Sequence, residues 1–266
     1  MKNFFIPVII ATIAQIISIF GVFFVFGLLL SKIQTAILKN YTSSVGWRGL
    51  LWTAWLGTPV HEYSHAFFAI LFHHQINDIV LFSPNASTGE LGHVNHSYNQ
   101  RSFYQNLGNF FIGLAPLILG PLILVLFLYL LVPRGQEIFS QLSGSQNSLI
   151  LLMAGVKKFL VLLFSPANLT SYRFWIFLYL SFCIASHLAP SKSDRKSMWS
   201  GWLIITASLF ILNILARLLH RDATGYIIDF SHFFAGLIVI YIYTLVISGL
   251  HFLISYLVLW PGRVKK

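Results

Sequence analysis

The chain has 266 residues, 57% of them hydrophobic and 9% charged, with a formal charge of +10 and a mean hydropathy of +0.77. A soluble domain carries roughly 25% charged residues, so an ordinary soluble fold is excluded. Nucleic acid is excluded as the partner of the positive charge, because Lys and Arg gather in short loops between apolar runs, where they set topology and meet anionic lipid. Backbone that crosses lipid must satisfy its own hydrogen bonds, which predicts an all-α polytopic membrane protein built as one domain over 1–266. The single Cys183 permits no internal disulfide and reads as a packing residue.

Residues 4–30 form an apolar run broken only by Pro7, Thr12, Gln15, Ser18 and glycines. The run exceeds the roughly 7–15 residues of a signal-peptide core, so it reads as a retained first helix. A short polar connection with Lys32, Lys39 and Arg48 follows, then a second apolar segment over 46–72. Thr58-Pro59 lies inside that segment and marks a helix start or a kink. Ile79-Val80-Leu81-Phe82, the turn chemistry of 83–89 and the stretch 91–98 read as a membrane-associated β-hairpin. Residues 107–132 carry no charge. Residues 149–164 hold Lys157-Lys158 at their centre and read as an interfacial helix. Segments 174–189, 198–219 and 233–260 complete about six transmembrane helices, with Trp175, Trp199, Trp202 and Trp260 near their ends. The reading is a multi-pass integral protein of a bacterial plasma membrane. Its orientation stays open: Arg263, Lys265 and Lys266 favour a cytoplasmic C-terminus, which leaves Lys32, Lys39 and Arg48 on the outer side against the charge rule.

The second segment contains His61-Glu62-Tyr63-Ser64-His65. In this H-E-x-x-H pattern the imidazoles are four residues apart, on one helix face, and can grip one metal ion. Glu62 beside them is placed to take a proton from water. The chain has three glutamates, and an ionisable cluster in an apolar segment is expensive without a functional reason. Zinc usually takes three protein ligands, so a third must come from elsewhere. His187, Asp194, Asp229 and His232 lie near span ends. Asp194 stands three residues after Ser191, a spacing that also fits a plain helix cap.

Residues 61–84, HEYSHAFFAILFHHQINDIVLFSP, together with Gly113-Leu114-Ala115-Pro116 and His187-Leu188-Ala189-Pro190…Asp194, resemble the site-2 protease family of intramembrane zinc metalloproteases. The resemblance covers residues 57–201, with a catalytic core over about 46–201, and the chain resembles a minimal member without a PDZ-sized insert. It implies Zn²⁺ held by His61, His65 and Asp194, Glu62 as general base, and a membrane-protein or membrane-associated peptide as substrate within the lipid bilayer. Ser64 stands where the family has glycine, His187 where it has asparagine, and Arg195 follows the aspartate in place of glycine. His187 is accordingly a second candidate for the third ligand, or a catalytic donor to the oxyanion.

His61, His65, His73, His74, His93 and His96 fall within 36 residues. That density also fits a membrane di-iron hydroxylase or desaturase with histidine boxes, although His93-x-x-His96 lacks the doubled histidine and Glu62 has no required role there. A membrane scaffold that retains the motif without catalysis is the third class. His93, Asn95 and His96, on the expected return strand, are candidates for holding an extended substrate. Asp229 and His232 lie three apart and are expected to pair.

Overall fold

A computed structural model describes residues 2–143, 149–219 and 235–264. The elements run α1 (Lys2–Ser44), α2 (Trp47–Leu71), β1 (Gln75–Val80), β2 (His93–Ser97), α3 (Phe103–Leu131), α4 (Gly135–Ser143), α5 (Leu149–Leu163), α6 (Pro166–Leu169), α7 (Tyr172–Ala185), α8 (Lys192–Leu218) and α9 (Ala235–Val264). Among the described residues, four helical stretches are long and apolar enough to cross a membrane: Phe4–Ser44, Phe103–Leu131, Lys192–Leu218 and Gly236–Trp260. The sequence led to an expectation of six. The difference lies in α7, whose 14 residues span about 21 Å against a hydrocarbon core of about 30 Å, and in α2, whose polar residues dilute its hydropathy. Asp229 and His232 lie outside the described residues.

The first helix does not stop near Leu30. It continues through Lys32 and Lys39 to Ser44, 43 residues and about 65 Å in all. The polar residues expected to form a connection instead lie on helix faces and bind neighbours. Ala189 N donates to Gln34 Oε1 at 2.8 Å, Asn40 Nδ2 donates to Ser255 Oγ at 2.9 Å, and Ser44 Oγ donates to the Leu259 carbonyl at 2.8 Å. Further up, Gln15 and Asn213 exchange two amide hydrogen bonds of 2.9 and 2.8 Å. These polar pairs tie α1 to α8 and α9, where apolar packing alone supplies little orientation in lipid.

The second helix likewise does not begin at Thr58-Pro59. It runs from Trp47 through Pro59 to Leu71, so the proline sits inside and removes one intrahelical bond. His73 and His74 fall beyond the helix end. His73 adopts a left-handed φ of 58°, which turns the chain into β1. The hairpin is present but shifted: β1 begins at Gln75 and pairs antiparallel with β2 through Ile76↔His96, Ile79↔Val94 and Val80↔His93, with an irregularity between Ile76 and Asp78. The expected strand had been read from the most apolar run, but pairing begins directly at the turn out of α2.

Helix α3 occupies the centre and packs against α2, α7, α8 and α9. Its two prolines each leave one carbonyl without an intrahelical donor, four residues upstream. Pro121 frees the Leu117 carbonyl, and Tyr241 OH donates to it at 2.7 Å. Cys183 is fully buried, as expected of a packing residue. The glycines of α3 mark close approaches: a Cβ on Gly113 would strike Met198 and lie 2.7 Å from the Asp194 carbonyl, and a Cβ on Gly120 would strike Leu188. Gly113 therefore lets the first turn of α8 lie directly on α3, beside Asp194.

Candidate metal centre

Two elements bring three ligating side chains together. His61 and His65 lie on successive turns of α2, and Asp194 lies in the first turn of α8. Their ligand atoms all fall within 4.8 Å of one another, the group among the described residues that could hold a metal ion. His61 Nε2 lies 3.1 Å from His65 Nε2, 3.6 Å from Asp194 Oδ2, and His65 Nε2 lies 3.5 Å from Asp194 Oδ1. Ligands about 2.0–2.1 Å from a tetrahedral ion lie about 3.3–3.4 Å apart, so the three separations match the edges of such a site.

Hydrogen-bond direction makes the case independently of distance. His61 Nδ1 meets the His187 carbonyl at 2.6 Å, and His65 Nδ1 meets the Ile112 carbonyl at 2.7 Å. A carbonyl only accepts, so both Nδ1 atoms donate, and in the neutral tautomer each ring turns its Nε2 lone pair inward. Two lone pairs and a carboxylate then face one another, an arrangement that repels itself until a cation lies between. The residues therefore fit a metal ion.

The Ile112 carbonyl is available because Pro116, four residues on, has no N–H to give it. Gly113-Leu114-Ala115-Pro116 thus contributes twice: Gly113 admits α8, and Pro116 frees the acceptor that orients His65. Pro116→Ala restores a competing N–H donor to that carbonyl. The expected result is a loss of metal affinity of about 10–100-fold, the usual cost of disturbing a ligand's outer hydrogen bond, read by competition with a metal-responsive dye. Unchanged affinity would show that the His65 orientation does not depend on it.

Asp194 is both a cap and part of the cluster. Ser191 Oγ accepts from Asp194 N at 3.2 Å, and Ser191 N donates to Asp194 Oδ2 at 2.6 Å, forming a capping box. The box fixes the carboxylate against the helix start with 17% of its side-chain surface exposed, leaving Oδ1 directed at His65.

Glu62 is buried and lines two cavities, each of about 440 Å³. One runs between β2, α3 and the start of α8, past His61, His65 and Asp194. The other lies between α1, the hairpin tip and the 187–195 segment, with Lys192 and Arg195 among its lining residues. His61 and Glu62 belong to both. Gly92 holds the hairpin against this point: a Cβ there would lie 3.1 Å from Glu62 Cγ and 2.6 Å from the Val80 carbonyl.

His187 is placed differently from the ligand cluster. Its backbone carbonyl serves His61. Its ring turns Nδ1 toward the Cys183 carbonyl and Ser186 Oγ, each at 3.1 Å, while Nε2 has no partner among the described residues. A side chain on Gly57 would collide with that ring and with the Cys183 carbonyl, so α2 lies flat on it. Thr58 Oγ1, also buried beside the second cavity, lacks a partner too.

Among the described residues, no other histidine joins the His61–His65–Asp194 group. His74 is buried and bonded to His96, a pairing that sequence reasoning missed because no local spacing links positions 22 apart. His251 packs face to face on Phe182, and its Nε2 meets Tyr41 OH at 3.0 Å. His93 lies between two carboxylates, Asp78 at 2.9 Å and Glu90 at 2.7 Å, both of which raise its pKa. A His with a raised folded pKa stabilises the fold fully below its unfolded pKa of about 6.5, and that contribution disappears as pH rises through the raised value. Amide exchange along β2 should therefore accelerate on the alkaline side of the His93 titration, and Asp78→Asn should move the midpoint down toward 6.5. An NMR titration of His93 with no downward shift in the variant would contradict the triad.

No family model, curated protein or solved structure matches the chain.

Proposed function

We propose that the protein is an intramembrane zinc metalloprotease, similar to the site-2 protease family, that hydrolyses a peptide bond in or beside the bilayer. The observation that carries this reading is the convergence of two imidazole Nε2 atoms and the Asp194 carboxylate, with Glu62 lining the same cavity. His61, His65 and Asp194 would hold the ion. Zinc held there would supply Lewis acidity, drawing electron density from a carbonyl oxygen and letting water lose a proton near neutral pH.

The chain's own residues account for the rest. Glu62 accepts the proton of the attacking water on its carboxylate and returns it to the departing amine. Among the described residues the sheet has two strands, so one edge of β2 has no strand partner there, and residues 92–96 line the cavity beside the metal ligands. A substrate unwound from its helix can recover backbone hydrogen bonds along that edge. Donation from His187 to the carbonyl oxygen requires the ring proton on Nε2, whereas the Cys183 carbonyl facing Nδ1 favours the proton on Nδ1 in the neutral ring. Ser191, Ser193 and Ser197 line the same cavity and supply a polar path for water.

The test is elemental analysis of the detergent-purified chain together with an assay on a quenched membrane-peptide substrate. One zinc per chain and cleavage that disappears on chelation and returns with zinc are expected. Two irons per chain would favour the di-iron oxidase, and bound zinc without cleavage of any peptide would favour a scaffold.

A further inference from the structure

His74 and His96 form a relay whose hydrogen-bond direction can be assigned from one end to the other. His74 Nε2 lies 2.8 Å from the Gln105 carbonyl, so it must donate. Burial lowers the pKa of His74 and holds that of His96 at about 4, so both rings are neutral at physiological pH. Neutral His74 then has only a lone pair at Nδ1. That atom is 2.9 Å from His96 Nδ1, so His96 Nδ1 must carry the proton and donate it. The remaining nitrogen, His96 Nε2, is left with a lone pair.

The relay is firmly anchored. Tyr98 stacks on His74 at 5.0 Å. The Gln105 side chain ties the two ends of the hairpin to α3, donating to the His73 carbonyl at 3.0 Å and accepting from Asn99 N at 2.6 Å. His96 Nε2 has no partner among the described residues and is not sealed inside the protein. His96 lines the cavity that holds His61, His65 and Asp194. The same wall carries the carboxylates of Glu62, Asp194 and Glu90, the last engaged by His93, and its described lining has no Lys or Arg. This face of the cavity is therefore rich in acceptors.

We infer that His96 is a specificity-determining residue, whose fixed Nε2 lone pair accepts a hydrogen bond from an N–H-bearing side chain of the substrate. The assignment rests on the peptidase reading for the identity of the occupant, while the tautomer of His96 stands apart from it. Such a site rejects an analogue that lacks the donor, since the lone pair is then left unpaired or faces another acceptor. A lysine, arginine, asparagine or glutamine fits; an aspartate does not.

The experiment has two readouts on the full-length protein in detergent. Nitrogen-15 NMR of the histidine rings should show His96 protonated on Nδ1, the minority form of free imidazole. Fluorescence anisotropy should then follow binding of fluorescent peptides in which each position in turn is Asn, Asp or Leu. At one position Asn should bind about tenfold more tightly than the near-isosteric Asp and Leu. His74→Phe keeps the ring stack on Tyr98 but removes the acceptor for His96 Nδ1–H. In that variant His96 should move its proton to Nε2 and the preference should pass from Asn to Asp. Amide exchange along β2 confirms that the hairpin remains formed, and the wild-type measurements decide the matter if it does not. Wild-type His96 protonated on Nε2, or equal binding of the three peptides at every position, overturns the inference. The Asn preference without any cleavage sustains it and overturns the peptidase reading. Cleavage with no preference at any position does the reverse.

Discussion

Glu62→Gln is expected to lower peptide cleavage by about 10²–10⁴-fold, the usual contribution of a positioned general base, while leaving zinc content at one per chain. The substitution keeps size and shape. Glutamine therefore preserves the contact in which Gly92 lies against the Glu62 side chain, and the hairpin is not displaced. What changes is the lone pair that takes the proton, since an amide oxygen is far too weak a base for the task. Glu62 is not among the three ligands, so metal binding separates from turnover. The pair of measurements is cleavage rate and zinc stoichiometry on the same preparation. Turnover within a few-fold of wild type would reject Glu62 as the base, and with it the mechanism. Loss of both zinc and turnover would mean instead that the carboxylate supports the ion, and the assignment of roles within H-E-x-x-H would have to be redrawn.

The legible and the illegible parts of this protein divide along a physical line. Features written in local spacing were readable. The i,i+4 pair of His61 and His65 follows from helix geometry alone. The hairpin followed from turn residues, though its first strand was set too late. Hydropathy gave a membrane-type helical fold, but a window average does not register that α7 is only 14 residues long or that α1 carries its polar residues on helix faces. Polar positions of α1 beyond Leu30 looked like a loop because their partners lie more than 150 residues away, at Ala189, Ser255 and Leu259. Long-range pairing also hid the His74–His96 relay. The functions of Pro116 and Gly113 lay between the two cases. A proline inside an apolar run signals a freed carbonyl, but nothing local says that His65 will use the one at Ile112. Asp194 was read as either a cap or a ligand. The structure places its carboxylate so that it makes the capping bond with one oxygen and reaches the imidazole pair with both, so these roles do not compete.

That double role makes Asp194 the most discriminating position for the metal centre. Asp194→Ala removes the carboxylate from the cluster and the reciprocal half of the capping box, so a loss of zinc there has two explanations: a missing ligand or a displaced helix start. Two further variants separate them. Asp194→Asn retains an oxygen that can accept from Ser191 N, so the cap survives, while the negative charge that faces the two lone pairs is gone. Ser191→Ala does the opposite: it leaves the carboxylate and costs about 1 kcal/mol of helix capping. If the carboxylate is a ligand, Asp194→Asn and Asp194→Ala should both lose zinc affinity by more than about 100-fold, beyond the range for outer-shell changes. Ser191→Ala should keep a full equivalent of zinc and lose only thermal stability. The reverse pattern, with zinc retained in Asp194→Asn and lost in Ser191→Ala, would make Asp194 a cap that merely lies near the histidines. The third ligand would then have to be sought elsewhere, and His187, whose Nε2 has no partner among the described residues, would be the first position to replace.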